Sequence, residues 1–453
     1  MSKPGKNLRT DVNVVKEGNV YKLAGFFRKT WELRYFRLRG RQLLYYKNEV
    51  DASSQPPRQT LNLRGARAFR AAEGKISART DFCVEVQLVE PVSKSYYFCT
   101  ETEEYLNEWI EAINQAAEYS MKEIGKLKGH DEPIACFSFS GDGKRLVTGT
   151  ETGCVKIWDL RLHKLILSLD AHRDGVTTCG FFDTDRRLYT TSLDKTLKVW
   201  DADTFQLLTT IQGLDDGVAT CLIIHENNQI VLGSVSGEMK MWNSNTLQVM
   251  GSLTGHKSAI TSMTSSADGK RMVTTSEDGT VICWVMPRAT QATVIRHPYS
   301  PVHGAIAKSG TKFVLWDREN CVSVYSWEEK ISSKYELNRH SDKVNSCFFT
   351  PNSAKVVTAS RDRSILIWDA TTSGQLLTDL SGQKDAIRCC SVSRNQQLML
   401  SVMGTEVAVW DFHSMEMLKS LEHPKQVMRA SFIPDYSGII SMQEDGLILL
   451  WSL

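Results

Sequence analysis

The chain has 453 residues, of which 42% are hydrophobic and 23% charged, ordinary values for a globular protein with room for two or three domains. No stretch of about 18 apolar residues occurs, which excludes a hydrophobic membrane-spanning helix. The net charge is only +2, yet residues 1–47 carry 12 basic and 3 acidic residues, so the positive field belongs to the first tenth of the chain. The opening MSKPGKNLRT is basic and polar and lacks the apolar core of a secretory signal, so residues 1–13 are expected to be a flexible tail. Eleven cysteines, scattered through strand-like segments with no CxxC, are expected to be reduced and mostly buried in a cytoplasmic chain.

From residue 14 the pattern alternates. EGNVYKLAG, WELRYFRLRG, RQLLYYKNE, QTLNL, ARAFRA, DFCVEVQL and SYYFCT read as seven strands broken by turn residues. The period then changes. Leu106, Trp109, Ile110, Ile113 and Ala117 share one face of a helix, with Thr100 and Glu103 as a capping box at its start. Seven strands and a terminal amphipathic helix in about 105 residues predict a small barrel plugged by a helix.

The residues Lys16-Glu17-Gly18, Trp31-x-x-Arg34-Tyr35-Phe36-x-Leu38, the run LLYYK (43–47) and Trp109 resemble the pleckstrin homology (PH) family over residues 14–119. The resemblance implies a phosphoinositide site with a Lys ending the first strand and a [Lys/Arg]-x-Arg pair on the second. Lys22 and Arg34 fit those positions, and Arg28, Lys29 and Tyr46 complete the candidate phosphate ligands. Glu32 stands where the pair needs its first base. Strand parity puts it on the same face as Arg34, where it either repels phosphate or occupies the guanidinium. The expectation is weak binding to phosphoinositides or anionic membrane, peripheral in character, with protein targeting as the other use of the module.

Beyond residue 120 a unit recurs. A Gly-His-like pair precedes a tryptophan by 28 positions: His130 leads to Trp158, His172 to Trp200, His256 to Trp284, His340 to Trp368 and His423 to Trp451. His297 leads likewise to Tyr325, Leu214 to Trp242, and Gln383, one residue short, to Trp410. That gives eight units whose aromatic positions lie 41 to 43 residues apart, each reading as four short strands. Trp316-Asp317 falls at a second-strand position and is not a repeat signal. Six residues before the aromatic, units two, four, six and eight place Asp194, Asp278, Asp362 and Asp445, while the odd units place Thr152, Ser236, Glu319 and Gly404. Each Asp is expected to hold its unit's His, with Ser192, Ser276 or Ser360 relaying to the indole N–H. A Ser-His-Asp set repeated in this way is a strut, not an active site.

GH and WD at fixed spacing resemble the WD-repeat family over roughly residues 122–453. The resemblance implies a mainly β chain: the PH-like seven-stranded barrel with its C-terminal helix, then, over 120–453, an eight-bladed β-propeller. The chain ends at WSL, one strand short of completing unit eight, so the strand near 123–129 is expected to close the ring. No phosphate loop, HExxH or GxSxG occurs, and no cofactor or metal set is expected. The reading is therefore a non-enzymatic scaffold with proteins bound on the propeller faces. The alternative is a substrate receptor of a cullin-type ubiquitin ligase, because Trp158-Asp159-Leu160-Arg161 matches the WDxR pattern of propellers that dock to cullin adaptors. Nucleic acid is not expected, since the loop residues Leu193, Glu277, Arg361 and Glu444 form no basic stripe.

Overall fold

In the computed structural model the chain divides into two compact units, Met1–Ser120 and Met121–Leu453. The structure describes residues 14–24, 30–39, 42–63, 66–72, 79–88, 94–117, 121–212, 214–297, 301–317, 319–328, 330–371, 374–435 and 437–453.

The first unit contains β1 (Val14–Ala24), β2 (Thr30–Arg39), β3 (Gln42–Tyr46), α1 (Glu49–Ser54), β4 (Gln59–Asn62), β5 (Arg67–Arg70), β6 (Cys83–Leu88), β7 (Lys94–Cys99) and α2 (Glu103–Ala117). The strands form one seven-stranded sheet in the order β4-β3-β2-β1-β7-β6-β5. Their alternate residues Val20, Phe36, Leu38, Leu43, Val84, Val86 and Phe98 enclose a core that α2 closes with Leu106, Trp109 and Ile113. The Trp109 ring stands edge-on to Phe36 and Phe98, at 87° and 78°. Complete burial of such side chains contributes about 1.5–3 kcal/mol each, which is why a helix of this length holds its place. Asn114 of α2 also gives and takes a hydrogen bond with the Ala68 backbone, at 2.9 and 2.8 Å, occupying groups on the edge strand β5.

Two local expectations need correction here, and one short helix adds to them. Thr102, not Thr100, caps α2: its hydroxyl accepts from the Tyr105 N–H at 3.2 Å, whereas the Thr100 hydroxyl donates to backbone carbonyls of Phe82 and Thr102. The helix α1, capped by Asn48, was not anticipated. Finally, Cys83 and Cys99 lie directly opposite across β6 and β7 and form a disulfide, so nine of the eleven cysteines are free thiols.

The second unit is a propeller of eight four-stranded sheets. Seven are built from consecutive strands. The eighth takes its outer strand, β8 (Glu123–Leu127), from the beginning of the unit, pairing Leu127 with Ile448 and Glu123 with Trp451. The ring is closed as the sequence predicts. Trp316-Asp317 ends the second strand of blade five, Lys312–Asp317.

Within the blades the strut is a chain of hydrogen bonds. In blade two the Trp200 indole donates to the Thr190 hydroxyl at 3.1 Å, which lies 2.8 Å from His172 Nε2. His172 Nδ1 lies 2.9 Å from Asp194. Since the carboxylate only accepts, Nδ1 carries the proton and Nε2 accepts from Thr190. Blade six repeats this with Trp368, Thr358, His340 and Asp362, the His–Asp distance being 2.8 Å. In blade four Trp284, Thr274 and His256 are joined likewise, but Nδ1 contacts Thr280 at 2.8 Å and Asp278 at 3.7 Å. The relay is thus a threonine two residues before the expected serine. Ser192, Ser276 and Ser360 instead bond to the loop carbonyls of Asp174, Ser258 and Asp342. Burial holds His172, His256 and His340 below the ordinary histidine pKa, against the pull of their aspartates.

Blade eight departs from the expected network. Trp451 and His423 still meet at Ser441, at 2.9 and 2.7 Å, but His423 Nδ1 donates to the Thr405 carbonyl, while Asp445 pairs with Lys425 at 3.1 Å. The reason lies two residues on. Blades two, four and six have Thr196, Thr280 and Ser364 there, whose hydroxyls donate to the Asp and contact the His; blade eight has Leu447, which can do neither. The residue after each of these aspartates has positive φ (Lys195 71°, Gly279 78°, Arg363 65°, Gly446 79°), so glycine relieves strain at two of the four turns.

These differences carry energy. Asp362 accepts from His340, the Ser341 and Ser364 N–H groups and the Ser364 hydroxyl, so Asp362→Ala is expected to destabilise by about 3 kcal/mol. Asp445→Ala, losing a half-exposed ion pair and a turn contact, should cost about 1 kcal/mol or less. Denaturant titration of the two variants checks this, and equal losses would contradict the assignment.

Candidate functional site

The mouth of the first unit is set by the β1–β2 register, which places Lys22 opposite Glu32 and Val20 opposite Arg34. Phe36, next inward on β2, lies opposite Tyr45 of β3 and stacks on it at 5.7 Å. Lys22 extends over the Tyr45 ring, its Nζ 4.7 Å from the centroid. Burial lowers the Lys22 pKa; Glu32 opposes that shift, and Arg34 and Lys94 reinforce it. Two of the sequence-predicted residues, Lys22 and Arg34, are therefore brought together.

Glu32 shares their face and takes up the Arg34 guanidinium. Arg34 Nη2 donates to the Glu32 carboxylate, and Nη1 donates to the Leu33 carbonyl at 2.9 Å. The Arg34 side chain is only 15% exposed while that of Glu32 is 42% exposed, so the acid forms the outer rim. An incoming phosphate must displace the carboxylate before it reaches the arginine.

Arg28 and Lys29, with Phe26 and Phe27, lie outside the described residues. Tyr46 is on the opposite face of the sheet, opposite Tyr35 and packed with Leu44 and Ala52. It cannot line the mouth, because successive strand residues alternate faces and Tyr45 already occupies the inner one. Two groups that act on Lys22, Tyr45 and Lys94, are not among the sequence-predicted residues. Tyr45 donates to Gln59 at 3.0 Å, Gln59 donates to Tyr96 at 3.2 Å, and Lys94 sits 5.0 Å over the Tyr96 ring. Pairing Tyr45 with Phe36 by parity finds the tyrosine, but nothing in the sequence fixes β7 beside β1. Arg37 donates to Glu17 at 2.7 Å and to the Ala52 carbonyl.

On the propeller, a cavity of about 430 Å³ is lined by Asn345, Arg361, Asp385, Arg388, Gly404 and Gln426. It adjoins a second of about 700 Å³ that includes Arg388, Arg429, Cys389 and Glu151. Arg388 donates to Gln426 at 3.2 Å. The guanidinium and amide donors of these cavities share them with the carboxyl groups of Asp385 and Glu151. In Trp158-Asp159-Leu160-Arg161, the Asp159 carboxylate accepts from the N–H groups of Arg161 and Leu162 at 2.8 Å. Asp201 and Asp411 make the same turn, so the acid is explained by the blade itself.

Comparison with known proteins agrees with this division. A family model described as PH domain matches residues 14–118. One described as WD domain, G-beta repeat matches residues 121–159, 163–201, 247–285 and 331–369. Among curated relatives, the WD repeat-containing protein 89 homolog of Dictyostelium discoideum is 27% identical over 120 residues, which are 26% of this chain and 32% of that protein. The guanine nucleotide-binding protein subunit beta-5b of Danio rerio is 31% identical over 121 residues, 25% of this chain and 30% of that one. The chain thus spans about a third of the length of these relatives. The crystal structure of a computationally designed protein, Ika8, covers 73% of this chain and 100% of its own at 24% identity, with a TM-score of 0.64, a likeness of fold alone.

Proposed function

For a chain that joins a PH domain to an eight-bladed WD-repeat propeller, we propose a non-enzymatic scaffold: the propeller holds partner proteins, and the PH domain attaches them weakly to anionic membrane. The observation that carries this reading is the state of the PH mouth. It keeps Lys22 and Lys94, but Glu32 engages the arginine that a phosphoinositide headgroup would use. Such a mouth favours charge-based attachment over selection of one headgroup. Each cation near an anionic leaflet contributes about 1 kcal/mol, so Lys22 and Lys94 together supply about 2 kcal/mol, roughly one and a half decades in partition. Among the described residues no helix is long and apolar enough to cross a membrane, and attachment through the PH domain is peripheral in this reading.

The full-length chain should float with phosphatidylserine vesicles at low salt, with little preference among phosphoinositides, and should be released at high salt. Flotation across a salt series tests this. Tight, salt-resistant binding to one phosphoinositide isomer contradicts it.

A further inference from the structure

Blade five has lost its strut and holds different chemistry in the same place. Its His297 stands where blades one, two, four, six and eight carry the strut histidine, but Leu315 replaces the relay threonine, Glu319 the turn aspartate of blades two, four, six and eight, and Tyr325 the tryptophan. Asp317 occupies the position of Ser192, Ser276 and Ser360, and Cys321 that of Thr196, Thr280 and Ser364. In blades two, four and six this last position brings a hydroxyl within 2.8–3.1 Å of the histidine Nδ1. The blade framework therefore delivers a thiol to the imidazole of His297 and a carboxylate beside both.

We propose that His297, Asp317 and Cys321 form a binding site for a zinc-class divalent cation. One donor atom from each residue lies within 4.8 Å of the other two, and His297 Nδ1 is 3.5 Å from Asp317 Oδ2. Tetrahedral zinc with bonds of about 2.0–2.3 Å needs its ligands roughly 3.3–3.8 Å apart, so the pair is already at ligand spacing and the thiol has a short distance to close. The Asp317 side chain is fully buried. Its Oδ1 accepts from the N–H groups of Glu319 and Cys321, at 2.8 and 3.0 Å, while no hydrogen-bond donor among the described residues reaches Oδ2.

That is how an outer hydrogen-bond shell aims one carboxylate oxygen at an ion. The Ser323 hydroxyl, 3.6 Å from the Cys321 sulfur, can donate to a thiolate. The combination of imidazole, carboxylate and thiolate selects zinc over the hard cations magnesium and calcium. On binding, the Cys321 thiol releases its proton to solvent. Cys321 is partly exposed, which gives the ion an entry path and leaves the fourth position to water. The ion would tie the loop before the first strand to the turn after the second, the connection that the His–Asp contact makes in blades two and six.

The test uses full-length protein stripped with a chelator and dialysed. Zinc should rebind at one ion per chain and raise the melting temperature. Cobalt used as a probe should give a thiolate-to-cobalt charge-transfer band. Cys321→Ser restores the hydroxyl of the sister blades, so it should fold; it is expected to lose the band and to weaken zinc binding about 100-fold or more. His297→Gln should weaken zinc binding to a similar degree while the other free cysteines remain unchanged. Failure of the native chain to take up one zinc overturns the proposal, as does a cobalt band that survives Cys321→Ser.

Discussion

Replacing residues 123–127 by a Gly/Ser stretch of equal length is expected to destabilise the propeller by at least about 5 kcal/mol and to make it self-associate. The segment contributes the only strand that closes the ring from outside its own blade, among the described residues. Leu127 is 1% exposed and packs in one cluster with Trp158, Leu146, Ile440 and Leu450, so it joins the eighth blade to the first. Losing one such leucine costs about 2–5 kcal/mol before any hydrogen bond is counted. The Lys122 backbone also donates to the Ser452 hydroxyl at 3.1 Å, and its carbonyl accepts from the Ser452 N–H at 2.8 Å. Without β8 the strand Ile448–Ser452 becomes an open edge, a template for pairing with another chain. The length-matched insert keeps the connection to the PH domain, so chain cleavage is not the variable. A monomeric variant with the native denaturant midpoint would show that closure carries no stability.

Glu32→Lys is expected to raise affinity for phosphoinositide vesicles by one to two decades. The substitution removes the acceptor that occupies Arg34, restores a basic pair and changes the local charge by two units. Charge-assisted hydrogen bonds of this kind contribute about 1.5–3 kcal/mol, which sets the size of the gain. The increase should be larger for phosphoinositides than for phosphatidylserine, because a pocket discriminates between headgroups and surface charge does not. Adding Arg34→Ala to the variant should abolish it. A rise of equal size on every anionic lipid would point to a flat basic surface, and no rise at all would mean that the Glu32–Arg34 pair does not control access.

The large features were legible because each rests on a periodicity that packing enforces. The 28-residue interval from His to Trp reports two ends of one hydrogen-bonded chain, so it survives wherever the blade keeps that chain. The missing fourth strand of the last unit led directly to β8. The seven PH strands followed from alternation, and the helix from its buried face of Leu106, Trp109 and Ile113.

What the sequence hid depends on neighbours that it does not identify. In LLYYK both faces are apolar because α1 covers the outer one, so parity within the run could not separate Tyr45 from Tyr46. Asp445 has the right spacing from His423, but the strut also needs a hydroxyl at the position of Leu447, and Lys425 offers a competing charge. The Cys83–Cys99 bond depends on the β6–β7 register, and Lys94 reaches the mouth only because β7 pairs with β1.

The measurement that tests the scaffold reading most directly is a paired capture and flotation experiment. Full-length protein and residues 121–453 alone would each be used to capture proteins from a lysate, and the eluted complexes would then be mixed with anionic vesicles and floated. The account predicts the same set of captured proteins with both forms, because the propeller holds them, and flotation of that set with the full-length chain only. Capture that requires residues 14–118, or flotation of the complexes without them, would contradict it.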